Sequence, residues 1–179
     1  MRVLLLSDTH GTLDARIAAL AHDSDLVVHA GDVGSAQVLS DLRKACPSVI
    51  AVRGNNDVPA KWGGEQAALR TLEDHAEIEL PGGVLVAVHG DRFPAAQRHA
   101  RLRAAFPGAR AIVYGHSHRI VIDDGALPWV LNPGAAGHAR TFGGPSCLRL
   151  TATARRWNIE LSRFAGSSPP SAAVQARSG

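Results

Sequence analysis

The strongest constraint on the fold is an alternation, early in the chain, between short apolar runs and stretches of helical periodicity. Val3 to Leu6 is a run of four apolar residues, the length of a buried strand. Leu13, Ile17, Leu20 and Ala21 follow at helical spacing, and Leu26 to His29 reads as a second strand. Ser35 stands where a cap belongs, ahead of Val38, Leu39 and Leu42; Pro47 ends that helix and Val49 to Val52 makes a third strand. This β-α-β-α-β order predicts parallel strands joined by right-handed crossovers.

The pattern changes after a Gly-rich, polar stretch around Trp62 to Asp74. Ala76 to Leu80 and Val84 to Val88 flank a Pro-Gly-Gly turn, which signals a hairpin. A helix from about Pro94 to Phe106 leads to a strand over Ala111 to Tyr114. Short strands are then expected at Ile120 to Ile122, Trp129 to Leu131, Cys147 to Thr151 and Trp157 to Leu161, separated by Gly, Pro and Asp turns. These predict a second, more antiparallel sheet packed face to face on the first, with helices outside. One domain over residues 1–164 is expected, followed by a small, polar, Pro-rich tail over 165–179 that reads as disordered.

Composition removes several functions. No apolar stretch approaches the roughly 20 residues of a membrane span, and the opening Met-Arg-Val-Leu-Leu-Leu is too short for a signal peptide, so a cytoplasmic protein is expected. Cys46 and Cys147 lack the spacing of a disulfide framework or a thiolate metal site and read as small buried hydrophobes. The net charge of +3 invites a nucleic-acid partner, but with aromatics at 4% stacking platforms are scarce, and the basic residues are scattered. The densest cluster, Arg98, Arg101, Arg103 and Arg110, reads as a solvated helix face.

The ends of the strands carry the chemistry, as expected for open α/β sheets. After the first strand come Asp8 and His10, after the second Asp32, after the third Asn55, after the fifth His89, and after the sixth His116 and His118 in Gly-His-Ser-His. Each residue alone has an ordinary explanation: helix caps for Asp, turns for Asn, structural roles for a lone His. Jointly they form two carboxylates, four imidazoles and an amide carbonyl, more than one ion needs. A mixed nitrogen and oxygen set without thiolates suits Mn, Fe, Zn, Co or Ni, and the economical arrangement is two ions about 3.5 to 4 Å apart.

The order Asp-Thr-His, Gly-Asp, Gly-Asn-Asn-Asp, Val-His-Gly, Gly-His-Ser-His resembles the calcineurin-like metallophosphoesterase superfamily. The compact length and Leu-Asn-Pro-Gly at 131–134 are similar to its small, YfcE-type phosphodiesterase branch. The resemblance covers residues 3 to about 160. It implies a four-layer α/β/β/α sandwich of two mixed sheets. It implies one ion on Asp8, His10, Asp32 and His118, and another on Asp32, Asn55, His89 and His116, with Asp32 bridging; Asp32, Asn55 and His89 are also counted as catalytic. The activity implied is hydrolysis of small or nucleotide-like phosphodiesters by a water that the two ions deprotonate, with manganese the first expectation. The partner expected is a small phosphoester, without membrane or nucleic acid, and a homo-oligomer is compatible with the sequence. The alternatives are a phosphomonoesterase or protein phosphatase, and a metal-bound protein-interaction scaffold.

One position departs from the family pattern. Where a His commonly follows the metal-binding Asn to protonate the leaving group, this chain has Asn56, which cannot act as a general acid. Asp57 is expected to orient Asn55 or cap a turn, and His29 to be a buried core residue supporting Asp32. His22, His75 and His99 read as surface or helix positions. His138 and Arg140, in the loop after Asn132-Pro133-Gly134, lie where a substrate phosphate could be reached.

Overall fold

The computed structural model describes residues 1–166; all but the first two residues of the expected C-terminal tail lie outside them. The predicted parallel unit is present. Strands β1 (Arg2–Leu6), β2 (Leu26–His29) and β3 (Val49–Ala51) pair in parallel, with Val3 opposite Leu26 and Val27 opposite Val49. Helices α1 (Ala15–Ala21) and α2 (Ala36–Ala45) make the crossovers. Asp14 caps α1 by accepting from the Arg16 backbone N–H, and Ser35 caps α2 by accepting from that of Val38 at 3.5 Å.

The second sheet has the order β4-β5-β6-β8-β7, formed by β4 (His75–Leu80), β5 (Gly83–Val88), β6 (Ala111–Tyr114), β7 (Val121–Asp123) and β8 (Trp129–Asn132). Its centre, β5-β6-β8, is parallel, and only the edge strands β4 and β7 run antiparallel. The last two strands, β9 (Ser146–Ala152) and β10 (Trp157–Arg163), do not join it as expected. They extend the first sheet in the order β10-β9-β1-β2-β3, with Val3 opposite Leu150. The physical reason is that an alternating pattern reports which faces a strand buries and carries no information about its neighbour. Here β9 places Leu148 and Leu150 on one face and Cys147 on the other, so it serves as an inner strand beside β1.

Side-chain alternation then generates four layers. In β1, Val3 and Leu5 pack with Leu85, Ala87, Ala111 and Val113 between the sheets, while Leu4 and Leu6 pack under Ile17, Leu39 and Leu42 of α1 and α2. On the far side Val86, Ile112 and Val130 take Leu102 of α5 (Arg98–Ala105), which follows a 3₁₀ turn over Ala95–Gln97 rather than forming one helix from Pro94. The stretch read as polar from Trp62 to Asp74 begins at the end of one single-turn helix, α3 (Pro59–Trp62), and contains another, α4 (Gln66–Leu69). It buries Trp62, Leu69 and Leu72 in the layer of α1 and α2; their irregular spacing hid this in the sequence. Both cysteines are buried and free. Among the described residues no helix is long and apolar enough to cross a membrane.

Candidate metal centre

The C-terminal ends of the parallel strands in both sheets converge, and the seven residues singled out in the sequence meet there. His118 Nε2 lies 3.3 Å from Asp8 Oδ1 and 3.2 Å from His10 Nε2. His89 Nε2 lies 3.4 Å from Asp32 Oδ2 and 3.1 Å from Asn55 Oδ1, and His116 Nδ1 is 3.0 Å from the same amide oxygen. The two groups are continuous, because His10 Nε2 stands 3.8 Å from Asp32 Oδ2. Asp8 is shared by the clusters Asp8-His10-His118 and Asp8-Asp32-His89.

These spacings fit a metal. Donors bound at roughly 2.0–2.2 Å to one ion in tetrahedral or octahedral geometry stand about 3.0–3.5 Å from each other. Imidazole nitrogens 3.2 Å apart on His10 and His118 need either a shared proton or an ion between them. His89 Nδ1 donates to the Ala30 carbonyl at 2.9 Å and His118 Nδ1 to that of Ala139 at 3.2 Å, so each ring, once neutral, turns its Nε2 lone pair into the centre.

The backbone carries the cost of this convergence. Asp8, His10, Asp32, His116 and His118 all have left-handed φ values between 47° and 65°. For non-glycine residues each is disfavoured by on the order of 1 kcal/mol, and such outliers persist where the surrounding structure over-determines them. The glycines between them provide clearance. A Cβ on Gly54 would stand on the backbone nitrogen and carboxylate of Asp32.

Several supporting residues were not evident in the sequence. Ser7 Oγ lies 2.8 Å from both Asp8 Oδ2 and the Gly134 carbonyl, and Asn132 Nδ2 donates to the Gly115 carbonyl at 2.8 Å and to Ser117 Oγ at 3.1 Å. Asn132 Oδ1 in turn accepts from the Gly134 N–H, so Asn132-Pro133-Gly134 is the brace of the Gly-His-Ser-His loop. The available signals were the Ser immediately before Asp8 and the Asn ending β8. Asp57 closes a turn, its N–H donating to the Gly54 carbonyl at 3.1 Å, and its side chain makes no hydrogen bond to Asn55 among the described residues. Its carboxylate accepts from the N–H groups of Val33, Gly34 and Gly54 and from Trp62 Nε1, joining the loop of Asp32 to that of Asn55. Asn56 binds Asp32 twice, from its backbone N–H to Oδ1 at 2.8 Å and from Nδ2 to Oδ2 at 2.7 Å. Arg140 stands at the rim with Nη2 3.4 Å from His10 Nε2, and His138 is exposed on the same loop. His22 and His75 are exposed, whereas His99 is partly buried between the Tyr114 hydroxyl and Asp123.

Charge is distributed unevenly across the centre. Burial disfavours a charged His89, but the bond to Asp32 and its charge outweigh this and raise the imidazole to about 9. Burial likewise opposes ionisation of Asp32, yet His89 and the two Asn56 bonds hold its carboxyl well below the usual range. His10 and His116 are lowered, first by burial, and His118 is raised because Asp8 offsets burial. An ion entering between His89 and Asp32 must displace that proton, so uptake favours higher pH.

His29 is buried but reaches Asp32 only through Thr9. Its Nε2 lies 2.9 Å from Thr9 Oγ1, which donates to the Val33 carbonyl, and its Nδ1 has no partner among the described residues. Burial lowers it to about 4. As pH falls from about 6.5 to 4 the unfolded chain therefore binds a proton that the folded chain refuses, and stability falls by up to about 3 kcal/mol. His89, raised in the fold, contributes stability that is complete below about 6.5 and lost toward 9, so it adds no slope in that window. Urea unfolding of the metal-free protein across this range, compared with His29→Gln, checks the point: an equally steep fall in the variant would exclude His29 as its source.

Fold and donor set together define a two-sheet α/β sandwich with a metal-binding centre at its converging strand ends. Residues 1–155 match the calcineurin-like phosphoesterase superfamily domain, and the chain belongs to that superfamily. A probable metallophosphoesterase of Methanothermobacter thermautotrophicus is 26% identical over 170 residues, covering 91% of this chain and 92% of the relative. A phosphodiesterase of Methanocaldococcus jannaschii is 25% identical over 144 residues, 75% of this chain and 83% of the relative. The crystal structure of Vps29 from Entamoeba histolytica complexed with Zn²⁺ shares the fold with a TM-score of 0.73 at 16% identity, covering 92% of this chain and 99% of that one.

Proposed function

We infer that the chain is a metal-dependent phosphodiesterase acting on small or nucleotide-like phosphodiesters. The observation carrying this reading is the set of seven inward donors at the mutual distances of shared coordination. One ion would be held by Asp8, His10, Asp32 and His118, and a second by Asp32, Asn55, His89 and His116. The relative named a phosphodiesterase supports the reaction type. The donor chemistry fits manganese, with Fe, Zn, Co and Ni as the other candidates. Free buried thiols at Cys46 and Cys147 suit a reducing compartment such as the cytoplasm.

Bound ions supply a water of lowered pKa and positive charge against the phosphoryl oxygens. The protein's part is placement. The Ala30 and Ala139 carbonyls hold the Nδ1 protons of His89 and His118, which keeps both rings in the ligating tautomer. Ser7 and the His116 N–H fix the two oxygens of Asp8. Arg140, at the rim beside His10, is placed to bind a phosphate oxygen.

Asn56 cannot donate a proton to a leaving group, so diesters with good leaving groups are the better substrates. Asn56→His is expected to speed hydrolysis of esters with poor leaving groups by about tenfold or more, since a positioned acid is worth ~10² to 10⁴. No gain in steady-state rates would show that the proton comes from elsewhere.

The reading is tested with metal-stripped protein refilled with manganese, given bis-p-nitrophenyl phosphate and p-nitrophenyl phosphate in parallel. A diester rate well above the monoester rate is expected. A faster monoester would make it a phosphomonoesterase, and bound ions without hydrolysis of either would favour the scaffold alternative.

A further inference from the structure

Beside the metal centre an open cleft of about 420 Å³ runs between the two sheets' loops, and nothing in the chemistry above uses it. It is continuous with the centre, because Gly54, Asn55 and Gly90 form its inner end. Its walls are apolar: Phe93, Phe106, Val58, Pro59 and Val88. The lining also carries charged groups, among them Arg53 and the ion pair of Arg92 with Asp74 at 3.0 Å.

The aromatic walls are fixed. The Phe93 N–H donates to the Gly90 carbonyl at 3.2 Å, which ties this residue to the loop that carries His89. The Phe93 carbonyl accepts from Nε of Arg98, a buried arginine whose guanidinium lies 5.7 Å from the centroid of the Tyr114 ring. Phe106 is held by its backbone bond to Leu102 and by the His75 ring at 5.7 Å. A preformed apolar slot of this size, opening on a phosphate-binding site and flanked by polar groups, matches a flat aromatic ring joined to a polar linker. Of its two guanidinium groups Arg92 is already paired with Asp74, so the apolar walls suit a ring better than a second phosphate or a bare sugar.

We propose that this cleft holds the nucleobase arm of the substrate, making Phe93, Phe106 and Val58 the residues that determine specificity for nucleotide diesters. The proposal rests on the phosphodiesterase reading and narrows its substrate class. Stacking on aromatic walls is tolerant of base identity, so discrimination is expected between substrates with and without a base rather than between bases.

The test is calorimetric binding of AMP and of ribose 5-phosphate to the manganese-refilled protein. AMP is expected to bind about tenfold or more tightly, from the gain of one stacked base. Phe93→Ala removes a wall and Val58→Trp, at an exposed position, fills the cleft without opening the core. Either is expected to bring the ratio of the two affinities toward one, and Val58→Trp keeps the test valid if Phe93→Ala fails to fold. Equal binding by the unaltered protein, or a ratio that survives both substitutions, overturns the proposal. Diester hydrolysis measured on the same samples separates the two conclusions. Hydrolysis without a base-dependent ratio sinks only the cleft assignment, and a base-dependent ratio without hydrolysis sinks only the phosphodiesterase reading.

Discussion

Asp32→Asn is expected to lower manganese-dependent hydrolysis of bis-p-nitrophenyl phosphate by about 10³-fold or more. Outer partners of a metal site typically cost about 10- to 100-fold, and Asp32 sits closer to the chemistry than any of them. Its Oδ2 is 3.4 Å from His89 Nε2 and 3.8 Å from His10 Nε2, so it faces both groups of donors at once. The asparagine keeps the shape but lacks the charge, and its amide hydrogens would point at the donors of Asn56 or at an imidazole. A second readout is independent of turnover. His89 is held at about 9 by Asp32 against the effect of burial, so in the metal-free variant burial acts with less opposition and the imidazole titrates markedly lower by NMR. Unchanged hydrolysis in this variant would remove Asp32 from the reaction and with it the two-ion reading.

Asp57→Asn is expected to lower stability by about 3 to 5 kcal/mol, because four donors converge on a buried carboxylate and an amide can answer only part of them. For a chain of this length that is a fall in melting temperature of roughly 10 °C. Activity should fall in the same variant at temperatures where it remains folded, since Val33 and Gly34 follow Asp32 and Gly54 precedes Asn55. Differential scanning calorimetry measures the first effect directly. A loss below about 1 kcal/mol would mean that water replaces the carboxylate and that the two loops hold their positions by packing alone.

The polar cluster at the centre was legible because each of its seven residues lies within four residues of the end of a strand, and strand ends are visible as the last residue of an apolar run. Val3–Leu6 predicts where Asp8 and His10 emerge, and Ala111–Tyr114 does the same for His116 and His118. The partners that orient those donors were less visible. Asn132 and Ser7 are polar residues of common types, and only the fold brings Ser7 against a carbonyl 127 residues away. Asp57 looked like a companion of Asn55 because the two are near in sequence. In the structure it closes the turn through Gly54, as the second of the two expected roles has it, but its carboxylate also accepts from Val33, Gly34 and Trp62, which the sequence did not single out.

The sequence by itself determined the layered α/β class, the parallel β1-β2-β3 unit and which seven polar residues stand at the strand ends, because side-chain periodicity and strand-end composition are local properties. Only the tertiary structure decided that β9 and β10 flank β1, that Trp62, Leu69 and Leu72 are core, and that an aromatic cleft opens beside Asn55. These depend on which surfaces meet across long separations in the chain. A strand's pattern states what it buries; its partner is chosen by the shape and register of the remaining sheet edge.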